Sequence, residues 1–232
     1  MSNREDKDKR RQERVAAEEA ARKQAAQRKR LGIVGGAVLA AAVVAIVLVF
    51  VVFKDDGGDG DGGGGSGKAA PTQGVKNLAE AARLAKCEVS DELPDEGSSH
   101  TTESVADKYK TNPPTSGDHD PTPAQDGVYD PGNPPDLEQS VHSLEHGRIN
   151  IQYKKGTPKE TVDYLVGVGT EEVRGDAGYH TLVFENQTGM DAAVVATAWR
   201  HSLTCAEAND RIYDAIRAFR IARLDKGPEF VP

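Results

Sequence analysis

The stretch VHSLEHGRINIQY, Val141 to Tyr153, changes from one backbone period to another within two residues. Leu137 to His146 can form a short helix, and Gly147 is well placed as the left-handed residue that follows a helix end. From Arg148 to Tyr153 polar and apolar residues alternate, the pattern of a half-buried strand. A helix that stops at Gly147 and runs straight into a strand sets the frame for the rest of the domain. Downstream, Thr157-Pro158 offers an N-cap and a first helical residue for a helix reaching about Val166. Strands are expected at Thr181–Glu185 and Ala193–Trp199. A last amphipathic helix is expected from about Ala206 to Arg223, with Ile212, Ala215, Ile216 and Phe219 on its buried face. The resulting order, β-α-β-β-α, predicts an α+β fold with a small mixed or antiparallel sheet and packed helices, compatible with a ferredoxin-like split βαβ arrangement. Upstream, Val75–Ala85 has helical spacing. Residues 111–135 hold seven prolines and three glycines, so this segment is expected to be turn and extended loop.

The first third of the 232 residues is of a different kind. Residues 1–30 carry 11 Lys or Arg against 6 Asp or Glu, a basic tail rich in helix formers but without an apolar stripe. Residues 31–53, LGIVGGAVLAAAVVAIVLVFVVF, contain no charge. As a helix they would be about 34 Å long, enough to cross a hydrocarbon core of roughly 30 Å. No small-residue cleavage site follows, so a transmembrane signal anchor is expected. Arg28, Lys29 and Arg30 precede the span and Asp55, Asp56, Asp59 and Asp61 follow it. This charge bias places the N-terminus in the cytoplasm and everything after Phe53 outside. Membrane topology accounts for the basic run, so no nucleic-acid partner is expected. Residues 54–70 read as a flexible Gly/Asp-rich linker, and 71–232 as one extracytoplasmic domain.

That domain has two cysteines, Cys87 and Cys205, without a C-x-x-C pair. On the oxidising side of a membrane they are expected to form a structural disulfide. All six histidines also lie in this domain, and His100, His119, His142 and His146 fall in or beside its turn-rich segment. His142 and His146 stand four apart, so one helix face presents both imidazoles to a shared ion. Only Met190 offers a soft ligand here, so an all-imidazole Cu(II) or Zn(II) site is favoured over Cu(I), and no organic cofactor is expected. Two alternatives stay open. The histidines can brace the fold of a non-metal cell-envelope interaction module. H-S-L-E-H also matches the inverted zinc-protease pattern, which would make Glu145 the general base of a metal-dependent hydrolase. Gly147 and the strand behind it argue against the long helix such proteases need. His201, beside Trp199, reads as local structure.

PPTSGDHDP, GVYD and VHSLEHGRINIQY, followed by VVATAWRHSL, resemble the bacterial domain of unknown function 3105 family over roughly Cys87 to Phe230. The resemblance implies a single-pass membrane or exported protein. It marks Pro113, Pro114, Gly117, His119, His142, Glu145, His146 and Gly147 as hallmark positions. It implies no activity. Arg200 departs from the pattern, standing where a glycine is expected after Ala-Trp.

Overall fold

A computed structural model describes residues 67–229. The basic tail, the expected membrane span and most of the linker lie outside the described residues. Among the described residues, no helix is long and apolar enough to cross a membrane.

Eight strands and four α-helices follow one another in the described chain. They are α1 (Leu78–Ala85), β1 (Cys87–Ser90), β2 (Gly127–Val128), α2 (Leu137–Glu145), β3 (Ile149–Tyr153), α3 (Lys159–Gly169), β4 (Glu172–Val173), β5 (Asp176–Ala177), β6 (Thr181–Glu185), β7 (Val194–Ala198), β8 (His201–Cys205) and α4 (Ile212–Arg223). Six strands form one mixed sheet in the order β1-β8-β7-β3-β6-β2, while β4 and β5 pair separately as a hairpin. The fold is α+β. Strand β3 runs parallel to β6 and antiparallel to β7, with Ile151 opposite Val183 on one side and Ala196 on the other.

This pairing corrects the ferredoxin-like expectation. A split βαβ unit leaves room for a third strand between the two that its helix joins. Here β3 and β6 are direct neighbours, and β7 adds on the far side of β3. The strand expected over Ala193–Trp199 is the first arm of a hairpin whose second arm, β8, was not foreseen. Its turn is Trp199-Arg200, with Arg200 at φ +60°. No glycine or asparagine announces that turn. The glycine expected at position 200 thus corresponds to a left-handed backbone position, and arginine occupies it. The backbone is closely engaged there: Arg200 N donates to Thr115 O at 2.8 Å, and Leu93 N donates to Arg200 O at 2.9 Å.

The last helix begins later than expected, at Ile212, because Ala206–Arg211 form turns around Asn209. Its anticipated face is buried, with Ile212, Ala215, Ile216 and Phe219 fully excluded from solvent. Helix α1 is capped by Asn77, whose side chain accepts from Glu80 N. Thr157 does not cap α3. Its hydroxyl donates to Lys154 O, and Pro158 occupies the N-cap position.

Because side chains alternate along a strand, each strand serves two cores. Ile149, Ile151 and Tyr153 of β3, Val183 of β6, Val194 and Ala196 of β7 and Leu203 of β8 pack into one apolar cluster with residues of α1, α3 and α4. The disulfide Cys87–Cys205 joins directly paired residues of β1 and β8 at the edge of this layer and spans 118 positions. In the chain-entropy model a loop of that size contributes up to about 4–5 kcal/mol. The opposite face is of another character. It presents Asn150, Gln152 and Thr197, with a small apolar patch of Leu182 and Phe184 against Ala124. Helix α2 and the Pro-rich loop cover it, held by hydrogen bonds. Asn150 Nδ2 donates to Ser140 O, Ser143 Oγ to Ala124 O, and Asn186 Nδ2 to Gln152 Oε1.

Candidate metal centre

The polar face is where the histidines meet. His142 lies in α2 and His146 is its C-cap residue, so Glu145 ends the helix and no long protease-type helix exists here. His119 comes from the Pro-rich loop. It is bridged to His100, whose neighbours Ser99 and Thr101 exchange backbone hydrogen bonds with His119. Three separate segments therefore deliver four imidazoles to one place. Ring centroids lie 5.0 Å apart for His100–His119, 4.7 Å for His119–His142 and 4.4 Å for His142–His146.

Backbone carbonyls set the tautomers. His119 Nδ1 meets Gly117 O at 2.8 Å and His142 Nδ1 meets Asp120 O at 2.6 Å. A carbonyl only accepts, so each Nδ1 carries the proton and each neutral ring offers the lone pair of Nε2 inward. Such a bond on the far nitrogen is what orients and strengthens a metal-ligating imidazole. The rings are not splayed. Donor atoms of His100, His119, His142 and Glu145 all lie within 4.8 Å of one another, and so do those of Glu145, His146 and Glu229.

Two of these atoms have no hydrogen-bond partner. His119 is fully buried and Glu145 is 3% exposed, yet His119 Nε2 and Glu145 Oε2 are both unsatisfied. They face each other at 3.1 Å. With the His119 proton committed to Gly117, this is a lone pair confronting a carboxylate. Leaving either group unmatched in a buried site costs about 1–3 kcal/mol or more. A proton on the carboxyl group or on His119 Nε2, or a cation between the two atoms, resolves the confrontation, and His100 Nε2 approaches the same carboxylate oxygen at 3.7 Å. His142 Nε2 and His146 Nε2, 2.9 Å apart, satisfy each other when His146 donates.

The electrostatics favour the ligating forms of the rings. Burial lowers the pKa of His119 and of His142. Burial, then the neighbouring His142 and Arg148, push His146 down to about 4. Burial, followed by the nearby charge of Glu229, raises the Glu145 carboxyl above the ordinary carboxylate range. His119, His142 and His146 are thus held neutral while the buried carboxyl of Glu145 competes for a proton.

Glu229 was not foreseen from the sequence. Its Oε2 lies 3.7 Å from His146 Nε2, brought there by a C-terminal strap across the end of α2. Asp225 N donates to Gly147 O, and Glu229 N donates to Glu145 O. Gly147, at φ +80°, would place a Cβ only 2.7 Å from Asp225 Cα, and a Cβ on Gly227 would meet Glu145 O at 2.0 Å. Two facing glycines let the strap lie flat on the site. A glycine at 227 was the only sequence signal, and its partner lies 80 positions away.

The remaining histidines lie elsewhere. His201 Nδ1 pairs with Asp91, which Arg223 also contacts. His180 pairs with Asp225 at 2.5 Å and so anchors the start of the strap. Trp199 stands edge-on to His119, with ring centroids 6.1 Å apart. A cleft of about 560 Å³ is lined by Gln73, Glu171, Arg174, Arg217, Arg220 and Leu224, and none of the clustered residues borders it. Its buried arginines, Arg217 and Arg220, are both engaged by Glu171.

No curated protein matches the chain, and no solved structure does. A family model described as a protein of unknown function, DUF3105, matches residues 100–229, more than half of the chain. The matched segment opens at His100 and closes at Glu229, so it encloses every residue of the cluster but leaves out α1 and Cys87. This chain therefore belongs to the DUF3105 family.

Proposed function

We propose that the chain is a single-pass, membrane-anchored module. Its extracytoplasmic domain binds one divalent transition-metal ion, Zn(II) or Cu(II), through His119, His142 and Glu145, with His100 as the outer ligand. The observation that carries this reading is the buried confrontation of His119 Nε2 and Glu145 Oε2, both without a partner and 3.1 Å apart. Ligands on a tetrahedral zinc, each about 2.0–2.1 Å from the ion, stand roughly 3.3 Å from one another. The observed spacing supports a shared ion with little rearrangement. His100 is the most exposed of the set, its side chain 45% accessible, and it closes the site toward solvent. In this account Glu145 is a ligand rather than a general base.

Placement outside the cytoplasm rests on the charge bias around residues 31–53 and agrees with a disulfide between Cys87 and Cys205. A second reading, a metal-free envelope interaction module, draws support from the bond of His142 Nδ1 to Asp120 O, which by itself ties the Pro-rich loop to α2, and from that of His119 Nδ1 to Gly117 O, which fixes the loop internally. Titration of the full chain with Zn(II) and Cu(II) separates the two. The metal reading expects saturable binding at this position that His119→Ala and His142→Ala each weaken by more than about 100-fold. Equal, weak binding by wild type and both variants would establish the brace.

A further inference from the structure

The cluster holds more donors than one tetrahedral ion can use. Four of them, from His100, His119, His142 and Glu145, complete a tetrahedral set. Yet His146 and Glu229 stand beside it with a second donor set that shares only Glu145. We propose that the centre is dinuclear, with the Glu145 carboxylate bridging a buried ion held by the imidazoles of His100, His119 and His142 and a second divalent ion held by His146 and Glu229. This rests on the metal reading of the first position and assigns a role to two residues that reading does not use.

The donors fall into two groups rather than one: those of His100, His119, His142 and Glu145 lie within 4.8 Å of one another, as do those of Glu145, His146 and Glu229. His142 Nε2 and His146 Nε2, 2.9 Å apart, mark where the two groups abut, and His146 Nε2 also lies 3.7 Å from Glu229 Oε2. Two-metal sites keep their ions roughly 3.5–4 Å apart across a bridging group. An unpartnered carboxylate oxygen at the junction of the two donor sets meets that need, since Glu145 is buried and its Oε2 has no hydrogen bond. The buried position has the Glu145 carboxylate alone, and the outer one has both Glu145 and Glu229.

The two positions differ in access. The outer one includes Glu229, whose side chain is 55% exposed, and its three protein donors leave room for water or a small anionic ligand. It is therefore the exchangeable position, with a harder, oxygen-richer donor set suited to Zn(II) or Mn(II). The strap that carries Glu229 is fixed by backbone bonds at Asp225 and Glu229 rather than by the metal, so its backbone is in place before the ion arrives.

The test is equilibrium dialysis of the full chain against Zn(II), read by elemental analysis. Two equivalents are expected for wild type and one for Glu229→Ala and for His146→Ala, with circular dichroism showing each variant folded. Copper(II) paramagnetic resonance gives a second readout. A coupled pair should leave the fully loaded wild type with much less mononuclear signal than its copper content, and Glu229→Ala should restore it. One equivalent in wild type, undiminished in Glu229→Ala, overturns the dinuclear proposal while the first position stands. No bound metal in the folded wild type overturns both.

Discussion

The two faces of the central sheet are built from the same strands by different physics. On one face Ile149, Ile151 and Tyr153 meet α4 and its neighbours in a continuous apolar layer. On the other, Asn150 and Gln152, the residues between them, hold α2 and neighbouring loops through individual hydrogen bonds. Burial of apolar area is non-directional and tolerant of position. A polar network is directional, and it fixes where His119, His142 and Glu145 stand. The first face supplies stability and the second supplies placement, so substitutions on the two faces should fail in different ways.

The largest stability loss is expected on the apolar face. Phe219→Ala removes a fully buried ring from α4 and should cost about 3–5 kcal/mol in chemical denaturation. Metal stoichiometry should be unchanged wherever the variant remains folded. If Phe219→Ala abolished binding while folded, the separation of roles would fail. On the polar face, His119→Ala should lower metal affinity by more than the roughly 10–100-fold typical of losing an outer-sphere partner, as a titration would read. Its loss of metal-free stability should be smaller than that of Phe219→Ala, because the cavity and the lost Gly117 bond are offset in part by removing one of two opposed, unsatisfied groups.

Gly147→Ala lies between these cases. The added methyl collides with Asp225, and a left-handed position costs a non-glycine residue of order 1–3 kcal/mol. A lowered denaturation midpoint should accompany loss of the outer metal ion, since the strap must shift and carries Glu229 with it. Retention of two equivalents with an unchanged midpoint would contradict the close approach described here.

The smallest effect concerns pH in the metal-free chain. His146 is depressed from 6.5 to about 4, and His119 and His142 shift in the same direction. Their contribution is fully present above the unfolded value and is lost as pH falls toward the folded ones, because the unfolded state then binds more protons. Glu145 acts oppositely. Its raised pKa gives a contribution present at low pH and lost as pH rises through the folded value. Denaturation midpoints should therefore fall between about pH 6.5 and 4, and His146→Ala should flatten that slope. An unchanged slope in that variant would remove His146 from the account.

Much of the apolar face was legible in the sequence because it follows simple periods. The face of Ile212, Ala215, Ile216 and Phe219 predicted burial that the fold contains. The alternation in RINIQY located β3, but the strand is buried on both sides, Asn150 and Gln152 included. The β7–β8 hairpin was hidden because Arg200 takes a left-handed turn without a glycine or asparagine to announce it. Strands β1 and β2 are four and two residues long, too short for any period to register. The site was half legible. Spacing placed His142 and His146 together, and the concentration of histidines drew in His100 and His119. Glu145 was weighed only as a catalytic base, although its position at the helix end makes it the link between both donor sets. Glu229 carried no local signal, because its place depends on the contact of Gly147 with a segment 80 positions away.

The central claim is that an ion sits between His119 and Glu145. Anomalous diffraction at the zinc edge, from crystals of the chain grown with Zn(II), tests it most directly. The result expected is a peak about 2.0–2.2 Å from His119 Nε2, His142 Nε2 and a Glu145 oxygen. A folded chain with no peak at that point, and a proton on Glu145 in its place, would contradict it.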